Sequence, residues 1–224
     1  MSKTRTAVVT GGGTGLGQAC VKALLGDGYR VISLGLDVEE EISAPAHEHR
    51  RFDVTDSAAI AEFATGEPEL DLLVNAAGII IGDGGELTDA GFAKVMEVNL
   101  GGTQQMCYAC KDALRARGGA VVNFASMWSY FGSARNPGYS ASKGAVVSLT
   151  HALAAAWGGE GIRVNAVAPG WVRTRMAVNA MTDPARSGPI LARIPMDRWG
   201  DPAEVSSVVA FLGSPTAAYV NGAV

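Results

Sequence analysis

The sequence predicts a single α/β domain in which helices cover both faces of a doubly wound, parallel β-sheet. Three observations predict it. Short apolar, β-branched runs alternate with helical patterns along the whole chain. The runs are continuously apolar rather than alternating, as strands buried on both faces are. The first run passes through a glycine-rich turn, "TGGGTGLG" at 10–17, straight into a helical pattern, which opens a series of β-α units.

Taken in order, "TAVVT" (6–10) is the first strand, and "GQACVKALLGDG" (17–28) is the helical stretch after the glycines. "YRVISL" (29–34) is a second strand. The segment 36–50 is short and contains Pro45, so no helix is expected between the second strand and a third at "RRFDV" (50–54). "SAAIAEFAT" (57–65) reads as a helix and "LDLLVNAAG" (70–78) as an apolar strand. A long helical region follows over 89–117, then a strand at "GAVVNFAS" (119–126). In the helix from about Tyr139 to Trp157, the side chains Val146, Leu149, Leu153 and Trp157 share one face. "IRVNAVAP" (162–169) is a further strand. Near the end, "DPAEVSSVVAFL" offers Asp201 as N-cap, Pro202 at the first helical position and Glu204 three residues after the cap. No linker, repeat or low-complexity stretch divides the 224 residues, which suit one domain spanning 1–224.

Composition excludes several classes. Lys+Arg at 18 against Asp+Glu at 22 gives a net charge of −4, without the basic surface that nucleic acid requires. "LLVNAAGIII" (72–81) is too short for a membrane span and carries Asn75. The N-terminus runs from a few polar residues into a strand, so no secretion signal is expected. An odd count of 3 cysteines argues against a disulfide framework and for a reducing, cytoplasmic location. Cys107 and Cys110 form a CxxC inside a helical run with no second ligand pair. They are expected as core residues, and no metal site is predicted.

Ligands of such sheets sit at the carboxyl ends of the strands. The glycine turn lets the backbone approach a ligand closely, and the helix after it presents free N–H groups to a pyrophosphate. It lacks the Gly-Lys-Ser/Thr ending of an NTPase loop, so ATP and GTP are not expected. Tyr139 and Lys143, in "GYSASKGA" (138–145), are four positions apart and share a helix face. A phenol used as a base near neutrality needs its pKa of about 10 brought down, and a nearby positive charge does this.

Several motifs in register resemble the short-chain dehydrogenase/reductase family. They are T-G-x-x-x-G-x-G from Thr10 to Gly17, "NAAG" (75–78), "VN" (98–99), Ser126 thirteen positions before Tyr139, "YSASK" (139–143) and "NAVAPGWVRT" (165–174). The resemblance runs in order from residue 6 to about 222 and implies a Rossmann-type fold and an NAD(P)-dependent oxidoreductase acting on a secondary alcohol or ketone. It implies that Tyr139 exchanges a proton with the substrate oxygen and that Ser126 hydrogen-bonds that oxygen. Lys143 would hold the cofactor ribose and depress the Tyr139 pKa, and Asn99 would anchor a water linking Lys143 to solvent. The implied cofactor cradle is Gly11, Gly13, Thr14, Gly15, Leu16 and Gly17 in the turn, with Asp37 at the end of the second strand. Asp53 and Val54 would meet the adenine, and Asn75, Ala76 and Gly78 the ribose. Tyr139 and Lys143, the Pro169–Gly170 turn, and Val172 and Thr174 would meet the nicotinamide end.

The chain departs from the family pattern in three places. The helix between the second and third strands is missing or reduced. Gly35 stands where the second strand usually ends in an acid, with Asp37 two residues on. The chain stops at "YVNGAV", where the family continues into a last strand, which is expected to be cut short. NAD is expected over NADP, because Thr14 and Val38 occupy the slots that carry a basic residue in NADP-using relatives and Asp37 would repel a 2′-phosphate. Arg50 or Arg51 reaching across would readmit NADP.

The expected substrate pocket joins 127–138 to a lid over about 171–199. Ser126, Trp128, Tyr139 and Trp171 are its expected core, with Tyr130, Phe131 and Met176 as further walls. Arg135, Arg173 and Arg175 are candidate anchors. This lining suits a compact sugar, polyol or hydroxy acid as a small-molecule substrate, and a homo-oligomer, tetramer or dimer, is expected. Two other readings differ in kind. A catalytically silent member of the fold, serving as a cofactor sensor or scaffold, would be expected to lose Tyr139 or Lys143, and both are present. A methyltransferase also uses a glycine turn but has no use for Ser126, Tyr139 and Lys143 at this spacing.

Overall fold

Six strands form one parallel sheet, in the order β3-β2-β1-β4-β5-β6. They are β1 (Thr6–Thr10), β2 (Arg30–Gly35), β3 (His47–Arg51), β4 (Leu72–Asn75), β5 (Ala120–Phe124) and β6 (Arg163–Val167). The computed structural model describes residues 4–67 and 69–224. Helix α1 (Gly15–Gly26) packs on one face of the sheet, where Val21 and Leu24 join Ala7, Val9, Val31 and Val74 in one core. Helix α2 (Ser57–Gly66) lies on the other face, with Ile60 and Phe63 against Val8, Ile32 and Leu73. Each such side chain, fully buried, contributes roughly 1.5–3 kcal/mol. The strand order reverses between β1 and β4, and this switch point opens a crevice at their carboxyl ends.

The expected helix over 89–117 is broken into pieces. Helix α3 (Asp89–Met96) passes through a π-helical turn at Glu97–Gly102 into α4 (Thr103–Ala109), and α5 (Lys111–Arg115) follows. The wide turn lets Gly102 back onto Val54, where a Cβ would lie 2.6 Å from Val54 Cγ2. Such turns concentrate at functional sites, and this one carries Asn99. Short α6 (Trp128–Phe131) precedes α7 (Pro137–Trp157), whose Leu153 and Trp157 pack against the core of the α2 face.

No helix forms between β2 and β3. Strand β3 starts three residues earlier than the sequence suggests, on the polar stretch His47–Arg51. The apolar Phe52 and Val54 mislead here, because they pack into the core beyond the strand. Pairing with β2 fixes the register from Val31↔His47 to Gly35↔Arg51, and buried Ser33 hydrogen-bonds both His47 and His49 at 2.9 Å. Beyond β6, α8 (Val178–Thr182) and α9 (Pro184–Leu191) lie within the segment 171–199. A bridge between Val172 and Gly200 closes its base. Helix α10 (Pro202–Gly213) starts with a complete Asp201/Glu204 capping box and joins α1 on the first face. Where a shortened last strand was expected, the tail lies along β6, with Gly222 N–H donating to Val164 and Ala166 N–H to Ala223. No helix among the described residues is long and apolar enough to cross a membrane. Cys20, Cys107 and Cys110 are free and buried, and burial pushes the thiols of Cys20 and Cys110 up to about 12.

Candidate active site

The glycine turn between β1 and α1 is built for close backbone contact. Gly11 has φ +65°, and a Cβ there would lie 2.8 Å from the Ala77 nitrogen. A Cβ on Gly17 would lie 2.2 Å from the Gly11 carbonyl oxygen, so the turn and helix can meet only through glycines. Thr14 is the N-cap of α1 but its hydroxyl makes no capping bond. Gly13 accepts bonds from the Glu39 amide and the Gln18 side chain, and Leu16 packs against the core. The Gly15 N–H donates to Glu39 Oε2 at 2.9 Å, so a carboxylate already sits where an anionic group would be received. Thr174 stands opposite, 3.7 Å from where a Gly15 Cβ would be. A cleft of about 700 Å³ between α1, the segment 173–181 and α10 includes Gly15, Thr174 and Arg175 but neither Ser126 nor Tyr139. It adjoins the anion end rather than the chemistry.

Along the crevice, Asp53 accepts from the Thr55 amide and hydroxyl, and these bonds hold its carboxyl below the usual range. Val54 is buried beside it. The side chain of Asn75 does not face the crevice. It is 2% exposed and turns into the sheet, donating to Asn123 Oδ1 at 2.9 Å and Cys107 Sγ at 3.2 Å, so only its backbone can line a ribose site. Ala76 and Gly78 are partly exposed. A Cβ on Gly78 would lie 3.3 Å from Asn99 Oδ1 and 3.5 Å from Lys143 Nζ, so glycine is required where these two side chains meet the backbone. Pro169 accepts a bond from the Met127 N–H, which ties the exposed Gly170 turn to the loop after Ser126.

Ser126, Tyr139, Lys143 and Asn99 converge on the carboxyl ends of β4 and β5. The Ser126 hydroxyl faces the Tyr139 phenol and favours its ionised form. Its Oγ also accepts from Trp128 N–H at 3.2 Å, which leaves its proton for an oxygen in front of it. Lys143 is 4% exposed, donates to the Phe124 carbonyl at 2.6 Å, and stands 5.6 Å from the Tyr139 ring centroid. Burial, with no carboxylate partner, pushes its ammonium down to about 8. The phenol is pushed up to about 12, by burial first and by Glu86, against the opposing influence of the Ser126 hydroxyl. Lys143 turns its ammonium to the Phe124 carbonyl, and burial is the largest influence on the phenol. Asn99 commits its side-chain amide to Ile79, through both backbone groups at 2.8 and 3.0 Å, and to Ser142 at 3.1 Å. A water at Asn99 would have to use its backbone carbonyl.

An aromatic row continues from the phenol. Tyr139, Trp128, Trp171 and Trp199 meet edge to face at centroid distances of 5.7, 5.6 and 5.5 Å. Tyr130, Phe131 and Met176 are exposed. Arg135 and Arg173 are exposed, with no ion-pair partner among the described residues. Arg175 leaves the substrate side altogether and bonds Asp37 Oδ2 at 3.0 Å, with Glu39 at 3.6 Å. The sequence reading missed Trp199 and, above all, Glu86, the one buried carboxylate among the described residues.

A lysine with donors left over and a carboxylate resting on the helix N-terminus both fit a dinucleotide with its ribose at Lys143 and its pyrophosphate at Gly15. Over residues 11–224 the chain matches the family model described as Enoyl-(Acyl carrier protein) reductase. It is 39% identical to galactitol 2-dehydrogenase (L-tagatose-forming) of Cereibacter sphaeroides, covering 97% of this chain and 91% of that one. It is 36% identical to 2-dehydro-3-deoxy-D-gluconate 5-dehydrogenase of Bacillus subtilis (strain 168), covering 98% and 91%. Among solved structures, a candidate NAD(P)-dependent gluconate 5-dehydrogenase from Beutenbergia cavernae with bound NADP at low occupancy is similar, with TM-score 0.88, 35% identity and coverage of 98% and 93%.

Proposed function

The chain belongs to the short-chain dehydrogenase/reductase family, and we propose that it interconverts the CH–OH and carbonyl forms of a polyol, sugar or sugar acid. It is an NAD(P)-dependent oxidoreductase of that family. The convergence of Ser126, Tyr139 and Lys143 beside the glycine turn carries the reading, and a silent scaffold would have no use for it. The nicotinamide ring, when bound, supplies or accepts the hydride. Tyr139 gives its phenol proton to the substrate oxygen in reduction and takes it back in oxidation. Ser126, with Oγ fixed by the Trp128 amide, donates to the same oxygen and holds it in line. Lys143 offers its remaining N–H groups to the ribose hydroxyls, and Gly15 and Thr174 receive the pyrophosphate. Trp128 and Trp171 wall the substrate, and Arg135 and Arg173, exposed with no ion-pair partner among the described residues, are its candidate anchors.

The substrate class is tested by turnover with galactitol, a deoxyketo sugar acid and an aliphatic secondary alcohol such as 2-octanol, read at the reduced-nicotinamide absorbance. At least one polar substrate is expected to exceed the aliphatic alcohol ~10-fold or more in kcat/KM, the scale of a few satisfied hydroxyl contacts. The reverse order overturns this assignment.

The expected preference for NAD rested on Thr14 and Val38 in the basic-residue slots and on a free Asp37. In the structure Asp37 is bonded to Arg175, and Gly35 faces the turn with no side chain. Arg51 rests on the Leu36 carbonyl at 3.0 Å, at the end of β2, and no carboxylate pairs with it among the described residues. These placements support use of either dinucleotide. We expect the two dissociation constants to agree within ~10-fold, about 1.4 kcal/mol. Arg51→Ala should weaken NADP several-fold and leave NAD unchanged. A parent that binds NAD ~100-fold tighter would restore Asp37 as the selector. The buried free thiols support a reducing, cytoplasmic compartment. Exposed Tyr108 and Phe211 support a homo-oligomer, which sedimentation measures.

A further inference from the structure

Glu86 lies 53 residues before Tyr139, in a 3-10 turn at Gly85–Leu87, and is 1% exposed. Three donors converge on it. Oε2 accepts the Tyr139 backbone N–H at 2.8 Å, and Oε1 accepts the Ile81 N–H at 2.9 Å and Asn136 Nδ2 at 3.2 Å. The start of α7 is shaped to receive it. Asn136, the N-cap, makes no capping bond with its side chain, and Pro137 has no N–H. Gly138 lets the carboxylate come close, since a Cβ there would lie 3.3 Å from Oε2. The first-turn N–H of Tyr139 is thus capped by another segment of the chain.

That bond closes a ring. The Tyr139 carbonyl accepts from Ser142 Oγ at 2.8 Å, Ser142 accepts from Asn99, Asn99 clamps Ile79, and Ile81 returns to Glu86. The Tyr139 N–H is therefore held from outside α7, and its carbonyl is linked through Ser142 of the same turn to Asn99. We infer that Glu86 is a positioning residue for Tyr139, holding the backbone that carries the phenol while keeping a negative charge beside it. The inference rests on Tyr139 as the proton carrier. The other groups facing the phenol are Ser126 from the loop after β5, the Trp128 ring on α6 and Lys143 from its own helix. A negative charge disfavours phenolate, so its removal moves the rising limb of the oxidation pH profile to lower pH.

Two substitutions separate the roles. Glu86→Gln keeps the reach and removes the charge. Glu86→Asp keeps the charge and shortens the reach by one methylene. For the Gln variant we expect the limb of kcat to move down by at least ~0.5 pH unit, the scale of one nearby charge. For the Asp variant we expect the limb to stay and kcat to fall ~10-fold or more, the usual scale of misplaced catalytic groups. Dinucleotide affinity, from tryptophan quenching, should change less than ~3-fold in both. An unmoved limb in the Gln variant overturns the inference. So does a loss of kcat in both variants that merely tracks a fall in Tm, or a variant that fails to fold. If Tyr139→Phe keeps the same limb as the parent, the proton-carrier reading itself fails, whatever Glu86 does.

Discussion

Tyr139→Phe is expected to lower turnover at least ~100-fold while dinucleotide affinity stays within a few-fold of the parent. The substitution keeps the ring and its edge contact with Trp128 at 5.7 Å and removes only the oxygen that exchanges the proton. Loss of a general acid–base group costs typically 10²–10⁴-fold. The phenol, pushed up to about 12 by burial, holds its proton firmly at neutral pH, which suits a donor in the reduction direction. In oxidation the same group must accept a proton, so oxidation should gain more from alkaline pH than reduction. Single-turnover rates in both directions for parent and variant check both statements. Near-normal turnover in the Phe variant would refute Tyr139 as the proton carrier.

How much of this site was legible in the sequence depends on how far apart its partners lie. The glycine turn, the apolar strands and the Tyr139/Lys143 spacing are local patterns, and each formed the element it suggested. The strand at His47–Arg51 was displaced because its polar side chains carry no apolar signal, while pairing with β2 decides its register. The break in 89–117 was hidden because a π turn keeps helical composition. Asp37 looked free, because its partner Arg175 lies 138 residues later. Glu86 carries no local signal; its burial depends on Ile81, Asn136 and Tyr139 arriving together. Asn75 matched a cofactor motif, yet the alternation of side chains along β4 turns it toward Asn123. Contacts set by tertiary packing were the ones that composition and period could not supply.

Lys143→Met should abolish turnover by ~100-fold or more, weaken the dinucleotide ~10-fold or more, and alter the pH dependence of stability in a fixed direction. The first two effects follow from removing the donor that meets the ribose and orients the site. The third follows from burial. The ammonium is 4% exposed with the Phe124 carbonyl as its hydrogen-bond partner, and its pKa falls from 10.5 to about 8. A cation whose folded pKa is depressed costs stability in full below about 8, and the cost is relieved as pH rises toward its ordinary value. At neutral pH the penalty is about 3 kcal/mol, on the scale of one pKa unit per 1.36 kcal/mol. The Met variant removes the penalty but leaves the Phe124 carbonyl without its donor, which costs about 1–3 kcal/mol. The two terms nearly cancel at pH 7, so the variant should be as stable as the parent or slightly more so. Between pH 8 and 10 the parent gains stability relative to the variant by about 2–3 kcal/mol. The raised thiols and Tyr139 titrate in both proteins and cancel in the difference. Denaturant unfolding of both, without dinucleotide, at pH 7 and pH 10 measures it. A constant difference across that range would mean that Lys143 is not buried as a cation, and the lysine would then hold the ribose from a solvated position.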